Sequence, residues 1–158
     1  MVFNTYDPSK WELIYKKKLD LNEKNIYDLD LNPDGEKQLV VTNQGGQSFF
    51  IDLENSASRI INLRLSNADY GLYNRLNSIR FNGNGKEILA ATANSSQLLL
   101  YDILVNREIL KLNQAHKERL NYACYKDKND ASNIILSGCD QGIIRMWDKR
   151  VMNDNNHY

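Results

Sequence analysis

Histidine and cysteine, the residues that most often build metal and nucleophilic centres, are scarce in this sequence. The chain has two of each among 158 residues. The spacing of Cys124 and Cys139 fits neither a zinc ribbon nor a redox pair, so we expect both thiols to be buried on strands in a reducing compartment. One histidine lies in the C-terminal tail, which leaves too few candidates for a metal site or a catalytic triad. We therefore predict that the chain is not an enzyme and holds no metal or cofactor.

An excess of one charge and a long apolar run are also missing. Lys plus Arg number 20, as do Asp plus Glu, so the formal net charge is zero. Binding to nucleic acid or to a membrane surface relies on excess positive charge, and no apolar run approaches a membrane span. The N-terminal residues lack the basic-then-apolar layout of a signal peptide. We therefore expect no nucleic acid or membrane partner, and a nuclear and/or cytoplasmic location.

A repeated dipeptide is the most informative feature that is present. Apolar runs end in an aromatic residue or Ile followed by Asp, and the successive Asp residues lie 45, 50 and 46 residues apart. The four dipeptides are Tyr6-Asp7, Ile51-Asp52, Tyr101-Asp102 and Trp147-Asp148. A period of this length, with a strand-like run before each Asp, is typical of propeller blades. A chain of this kind presents surfaces to protein partners.

The two central units match each other at a constant offset of 50 residues. Ile26–Gly35 corresponds to Leu76–Gly85, and each segment runs from near-alternating apolar residues into an Asn- and Gly-containing turn. Such a pattern predicts a strand followed by a tight hairpin turn, because Asn and Gly tolerate positive φ. Second strands are expected at Gln38–Thr42 and Ile88–Thr92, before a third that ends at the dipeptide. The chain is thus predicted to be all-β, with antiparallel four-stranded blades.

The unit boundaries predict a partial propeller over residues 1–152, followed by a polar tail at residues 153–158. The blade units are expected at about 1–21, 26–65, 76–112 and 120–152. The second and third hold four strands, with the fourth strands at Ile60–Leu65 and Glu108–Leu112. The first unit is predicted to hold only Val2–Asp7 and Trp11–Tyr15, and the last lacks a fourth strand. About two complete and two partial blades result. We therefore expect the chain to be a fragment, a truncated gene model or a piece that completes itself with another chain, and we favour the first two.

The last unit resembles a WD repeat. In that family a Gly-His dipeptide precedes the first strand, Trp-Asp ends the third, and a network joins His, a Ser or Thr, an Asp in a turn, and Trp. Here His116 and Trp147 match, and the resemblance implies that they form a structural blade network. Cys139 stands at the expected hydroxyl position and Gln141 at that of the Asp. His116 is therefore predicted to be structural and not catalytic.

A narrower element follows the last strand. Trp147-Asp148-Lys149-Arg150 resembles the "Trp-Asp-any-Arg" element of WD-repeat substrate receptors of cullin-4 ubiquitin ligases. The resemblance implies that Trp147, Asp148 and Arg150 bind the β-propeller adaptor of the ligase. Arginine suits that role, because its planar cation bonds carboxylates or carbonyls in a bidentate manner. The alternative is that Arg150 is an ordinary exposed residue after a structural Trp-Asp pair.

Wider similarity points to one group of these receptors. Five segments are similar to the LEC14B-like group, of the cullin-4-associated factor type: Asn77–Phe81, Ala90–Asn94, Leu100–Asp102, Gln114–His116 and Ser137–Met152. Tyr6–Trp11 and Asn32–Gly35 fit the same group more loosely. The similarity covers nearly the whole chain but only the middle of the family's propeller. It implies a non-catalytic scaffold that recruits substrates for ubiquitination.

Two other functions remain open. The chain could be a WD-repeat scaffold of a different nuclear or cytoplasmic complex, or an enzyme built on a propeller. The enzyme would need a cluster of acid, base or metal-binding groups, and the sequence offers none. A segment at residues 66–75 carries Tyr70 and Tyr73, which could anchor a substrate or pack over a blade.

Overall fold

A computed structural model gives the fold of most of the chain. It describes residues 25–35, 37–43, 48–54, 58–61, 75–127 and 132–152, with the side chains of residues 58–61 left out. These residues form eleven β-strands, and none of them lies in a helix. The all-β class that the sequence predicts is confirmed.

The strands form three consecutive antiparallel sheets, each a simple meander in chain order. The first sheet contains β1 (Ile26–Leu31), β2 (Gln38–Asn43), β3 (Ser48–Asp52) and β4 (Ser58–Ile61). The second contains β5 (Leu76–Phe81), β6 (Glu87–Thr92), β7 (Leu98–Asp102) and β8 (Arg107–Leu112). The third contains β9 (Leu120–Tyr125), β10 (Ile134–Cys139) and β11 (Ile144–Asp148). Two sheets of four strands and one of three are consistent with partial propeller blades.

In the first two sheets, an asparagine and a glycine build the turn that follows the first strand. In the second sheet, the Asn82 Oδ1 atom accepts a hydrogen bond from the Lys86 backbone N–H at 3.0 Å, and Gly85 adopts a φ of +68°. In the first, Asn32 Oδ1 accepts from the Asp34 N–H at 2.9 Å. These local bonds explain why the 50-residue repeat is visible in the sequence.

The middle sheet is buried on both faces. Ile88 and Ala90 of β6 pack in a cluster shared with the first sheet, whereas Leu89 and Ala91 pack in a cluster shared with the third. All four side chains are inaccessible to solvent. Because successive side chains of a strand point to opposite faces, a strand between two sheets needs apolar residues throughout. The sheets therefore pack face to face as neighbouring layers.

Side chains also join the first strands of neighbouring sheets. Asp28 and Asp30 on β1 accept hydrogen bonds at 2.9 Å from the backbone N–H groups of Ile79 and Phe81 on β5. At the next boundary, the Ser78 hydroxyl on β5 donates to a backbone carbonyl oxygen of β9 at 3.0 Å. Positions 28 and 78 are related by the 50-residue offset, so the repeat places an inter-sheet contact at each boundary.

Several sequence expectations fall outside the described residues. They include the proposed strands at Val2–Asp7 and Trp11–Tyr15, the tyrosines Tyr70 and Tyr73, and the tail at 153–158. Residues 62–65, the second part of the proposed fourth strand, lie there too. The expectation for the cysteines is corrected in part: both lie on strands, but Cys124 is only half-buried, whereas Cys139 is buried.

Candidate functional site

The third strand of each sheet ends in the same side-chain turn. The carboxylate of the last strand residue accepts a hydrogen bond from the backbone N–H two positions later. Asp52, Asp102 and Asp148 accept these bonds at 2.9, 2.8 and 3.0 Å. This Asx turn stops the strand and fixes the direction of the next residues. The repeated Asp is thus explained by local backbone chemistry.

The residue that donates this backbone bond differs among the three turns. Glu54, Leu104 and Arg150 occupy the equivalent positions, so only the third turn presents a cation there. The Arg150 side chain is 67% exposed. The structure therefore distinguishes Arg150 from its counterparts by charge, at a position whose backbone geometry all three share.

Arg150 is held in place by the carboxylate that ends its own strand. Arg150 Nε and Nη2 donate to the two carboxylate oxygens of Asp148 at 2.9 and 2.5 Å. The hydrogen bonds and charge of Arg150 lower the pKa of Asp148 to about 2, so the pair stays ionised at neutral pH. Of the five guanidinium N–H groups, three remain for acceptors on another molecule. The turn thus presents an oriented, exposed cation.

Lys149 ties the same turn to the neighbouring sheet. Its Nζ atom lies 3.0 and 3.2 Å from the two carboxylate oxygens of Glu87 on β6. Glu87 Oε1 also accepts a 2.6 Å hydrogen bond from the Tyr125 hydroxyl. Burial, together with Glu87, raises the pKa of Tyr125 well above its ordinary value, which keeps the phenol protonated as a donor. Sequence reasoning missed this contact because it joins residues from different sheets.

Trp147 takes part in a buried polar network. The Trp147 indole N–H donates to the Ser137 hydroxyl oxygen at 2.7 Å, and His116 Nε2 lies 2.7 Å from the same oxygen. The hydroxyl that both rings contact therefore belongs to Ser137 and not to position 139, which corrects the expectation for Cys139. Ser137 is 2% exposed, as is His116. Such a position suits a packing role, since neither group is available to a partner.

Gln141 does not take the place of the turn Asp that the WD-repeat resemblance implies. Its amide nitrogen donates to Glu118 Oε1 at 3.3 Å, away from His116. His116 Nδ1 is consequently buried with no hydrogen-bond partner among the described residues. Burial, with a further contribution from the positive charge of Arg145, lowers the pKa of His116. The imidazole is therefore neutral at physiological pH.

The described part of the chain offers no site for metal chemistry. Within it, no three His, Cys, Asp or Glu side chains are grouped so that they could hold a metal ion. Those same residues include no helix of the length and apolarity that a membrane crossing requires.

The fold and site together define a class of protein. Three consecutive meander sheets stack face to face, and each ends its third strand in an Asp-centred turn. The distinctive site is an exposed turn, in contrast to the enclosed pocket of a small-molecule site. These features are consistent with part of a β-propeller-type repeat protein.

Comparison with known proteins narrows this class. No protein-family model matches the chain. It is 34% identical over 88 residues to the "LEC14B protein" of Lithospermum erythrorhizon, a match that covers 56% of this chain and 18% of that protein. It is 31% identical over 85 residues to a "LEC14B homolog" of Prunus armeniaca, covering 54% and 16%. It is 30% identical over 76 residues to a "DDB1- and CUL4-associated factor 11 homolog" of Caenorhabditis elegans, covering 48% and 13%.

These relatives confirm the resemblance to LEC14B-like proteins of the cullin-4-associated factor type. The matches include about half of this chain, and the chain spans only 13% to 18% of the length of these relatives. By their names, the Caenorhabditis relatives are associated with DDB1 and CUL4.

Proposed function

We propose that this chain is a non-catalytic part of a substrate receptor of a cullin-4 ubiquitin ligase, and that it binds the adaptor DDB1 through the turn Trp147–Arg150. The observation that carries the proposal is the Arg150 guanidinium. It is exposed, oriented by Asp148, and the only cation at the three equivalent strand-end positions. The names of the relatives support the identity of the partner.

The geometry suits a binding anchor for a physical reason. Ordering a free arginine side chain costs up to about 2 kcal/mol of rotamer entropy, which lowers the affinity of an interface. The bonds to Asp148 restrict Arg150 before any partner arrives. The contact of Lys149 with Glu87 holds the backbone of the turn against the neighbouring sheet. A pre-ordered arginine at an exposed turn is the kind of residue that dominates interface energies.

The role of the network behind the turn is to keep the turn in place. Trp147 is anchored through Ser137, and Met152, two residues after Arg150, is 7% exposed within the cluster shared by the second and third sheets. The exposed arginine is thus flanked on both sides by residues fixed in the core. A receptor of this kind also needs a second surface for its substrate. In this role the protein would work in the nucleus and/or the cytoplasm.

A pull-down of DDB1 tests the proposal. Arg150→Ala and Arg150→Glu should lose DDB1 while keeping the wild-type circular dichroism spectrum, because the side chain is exposed. Leu104→Ala is the matched control, since Leu104 occupies the equivalent turn position and is 74% exposed. A folded Arg150→Ala variant that retains DDB1 would end the ligase proposal. Capture of a different stable complex, with no ligase subunit, would favour a WD-repeat scaffold of another assembly.

A further inference from the structure

A polar cleft lies at the end of the sheets opposite to Arg150. Its volume is about 800 Å³, and it is lined by residues 94–97 of the β6–β7 loop and by residues 113, 114, 116 and 117 of the β8–β9 loop. Lys111 of β8 and Arg145 of β11 complete the lining. The β6–β7 loop and the start of β11 lie at one end of their sheets, and the strand-end Asp turns lie at the other. The cleft and the proposed adaptor surface are therefore separate.

The charged side chains that line this cleft, among the described residues, are all positive. Lys111, Lys117 and Arg145 line it, and no Asp or Glu occurs among the described residues that do so. Arg145 is fixed at this position, because its Nη1 atom donates to the Ala115 carbonyl oxygen at 2.8 Å and its guanidinium lies over the Trp147 ring. The whole chain has no net charge, so this concentration of cations is a local feature.

Two buried polar atoms of the lining have no partner among the described residues. They are Gln97 Oε1 and His116 Nδ1, on side chains that are 4% and 2% exposed. His116 Nε2 lies within hydrogen-bond distance of the Ser137 hydroxyl, so Nδ1 is the ring nitrogen that has no partner there. Buried polar groups are ordinarily hydrogen-bonded. Both atoms are enclosed in the wall of the cleft, so contact with a ligand is left to the cations and amide side chains of the lining.

We propose that this cleft binds an acidic segment of a protein partner, through carboxylate or phosphate groups that face Lys111, Lys117 and Arg145. The volume is within the range of ligand sites and suits a few residues of extended peptide. Amide side chains on its rim, such as Asn113 and Gln114, can bond a peptide backbone. The described lining residues include no Phe, Tyr or Trp, so it lacks the stacking platforms on which nucleic-acid bases bind. In a ligase receptor this segment would belong to the substrate, an identification that rests on the proposed function.

Fluorescence anisotropy with the full chain tests this inference. A labelled hexaglutamate peptide should bind at about 0.15 M salt, and a hexaglutamine peptide of the same length should bind at least about tenfold more weakly. A serine peptide and its phosphoserine form provide a second pair, which separates carboxylate from phosphate recognition. Binding of either anionic peptide above its neutral counterpart supports the inference.

Two lysine variants locate the binding site. Lys117→Gln should weaken binding of the anionic peptide about fivefold, since Lys117 forms no hydrogen bond or ion pair with the residues that the structure describes. Lys86→Gln is the matched control: Lys86 is exposed in the β5–β6 turn, at the opposite end of β6. It should bind the peptide as the wild type does.

Three results would overturn the inference. They are equal binding of anionic and neutral peptides, equal losses for the Lys117 and Lys86 variants, and tighter binding of a labelled oligothymidylate than of either anionic peptide. The proposed function is tested separately, because Arg150→Ala should leave peptide binding intact. Loss of DDB1 binding without loss of peptide binding would assign the two functions to the two ends of the sheets.

Discussion

The β1–β2 turn of the first sheet packs against the β5–β6 turn of the second, and this contact can be tested by substitution. Gly85 lies in the β5–β6 turn with a φ of +68°, against Asn32 of the β1–β2 turn. A Cβ atom added at Gly85 would lie 1.9 Å from Asn32 Oδ1, so Asn32 would have to move. Gly35 has a similar φ of +82°, yet a Cβ atom added there would have no described atom within 4 Å. The two glycines thus share the backbone requirement but not the neighbour.

The expected costs follow from these contacts. Either Gly→Ala change places an L-residue at positive φ, which costs about 1–2 kcal/mol. At Gly85 the displaced Asn32 also loses hydrogen bonds to the Asp34 N–H and to Gln38 Oε1, each worth about 1 kcal/mol. We therefore expect losses of roughly 3–4 kcal/mol for Gly85→Ala and about 1–2 kcal/mol for Gly35→Ala. At about 2–4 °C per kcal/mol, the melting temperature of Gly85→Ala should be clearly the lower of the two.

Thermal melts of the full chain, followed by circular dichroism, measure both costs. A double-mutant cycle with Asn32→Ala isolates the contact, because Gly85→Ala should cost only its backbone strain once Asn32 has been removed. Equal losses for Gly85→Ala and Gly35→Ala would refute the reasoning. Full additivity of Gly85→Ala and Asn32→Ala would show that the two turns do not touch.

The buried network and the titrating groups give three further predictions. Ser137→Ala should destabilise the chain by about 2–4 kcal/mol in urea titrations, because it leaves the Trp147 N–H and the His116 ring without their partner. An unchanged urea midpoint would contradict the role of Ser137 in this network. Since the pKa of His116 is lowered in the folded state, protonation favours the unfolded state, and stability should fall as the pH drops below about 6.5. His116→Gln should remove that component of the pH dependence. If the stability of this variant depends on pH as that of the wild type does, His116 is not the titrating group. For Asp148, carboxyl NMR titration should give a pKa of about 2 in the wild type and a higher pKa in Arg150→Ala, which loses the side-chain hydrogen bonds and charge but keeps the backbone N–H bond. A pKa of about 2 in both proteins would show that the Arg150 side chain is not the cause.

The repeated strands could be predicted from sequence because their signals are local. The Asx turn at Asp102 and the turn at Asn82 and Gly85 are closed by hydrogen bonds between residues at most five positions apart. A chemistry that acts over so few residues leaves a readable pattern, which recurs at Asp52 and Asp148. The meander order follows from it, since short turns join strands that pair antiparallel.

The WD-repeat resemblance puts the hydroxyl position of the network at Cys139, whereas the Trp147 N–H bonds Ser137 in the structure. The difference arises because this contact depends on strand register. Trp147 pairs with Ile135 across the hairpin, so Ser137 is its diagonal neighbour and Cys139 lies two residues beyond that. With about 3.3 Å per residue, position 139 is about 13 Å along the partner strand, beyond the reach of the indole. Side chains two residues apart on a strand lie on the same face of the sheet. Since Trp147 pairs with Ile135, this spacing places Ser137 beside the indole.

The contact between Lys149 and Glu87 left no comparable signal in the sequence. Lys149 and Glu87 are 62 residues apart, and a lysine after Trp-Asp gives no indication of which carboxylate it will meet. The polar cleft likewise brings together two loops and a strand of the next sheet. Such sites depend on how the sheets stack, which no short segment of the chain encodes.

The affinity for DDB1 of Arg150→Ala, set against that of Leu104→Ala, tests the central claim most directly. A buried interface arginine typically costs about 2 kcal/mol or more when truncated, which corresponds to a loss of about 30-fold or more. The account predicts such a loss for Arg150→Ala and wild-type affinity for Leu104→Ala, with both variants folded. Wild-type affinity in a folded Arg150→Ala variant would contradict it.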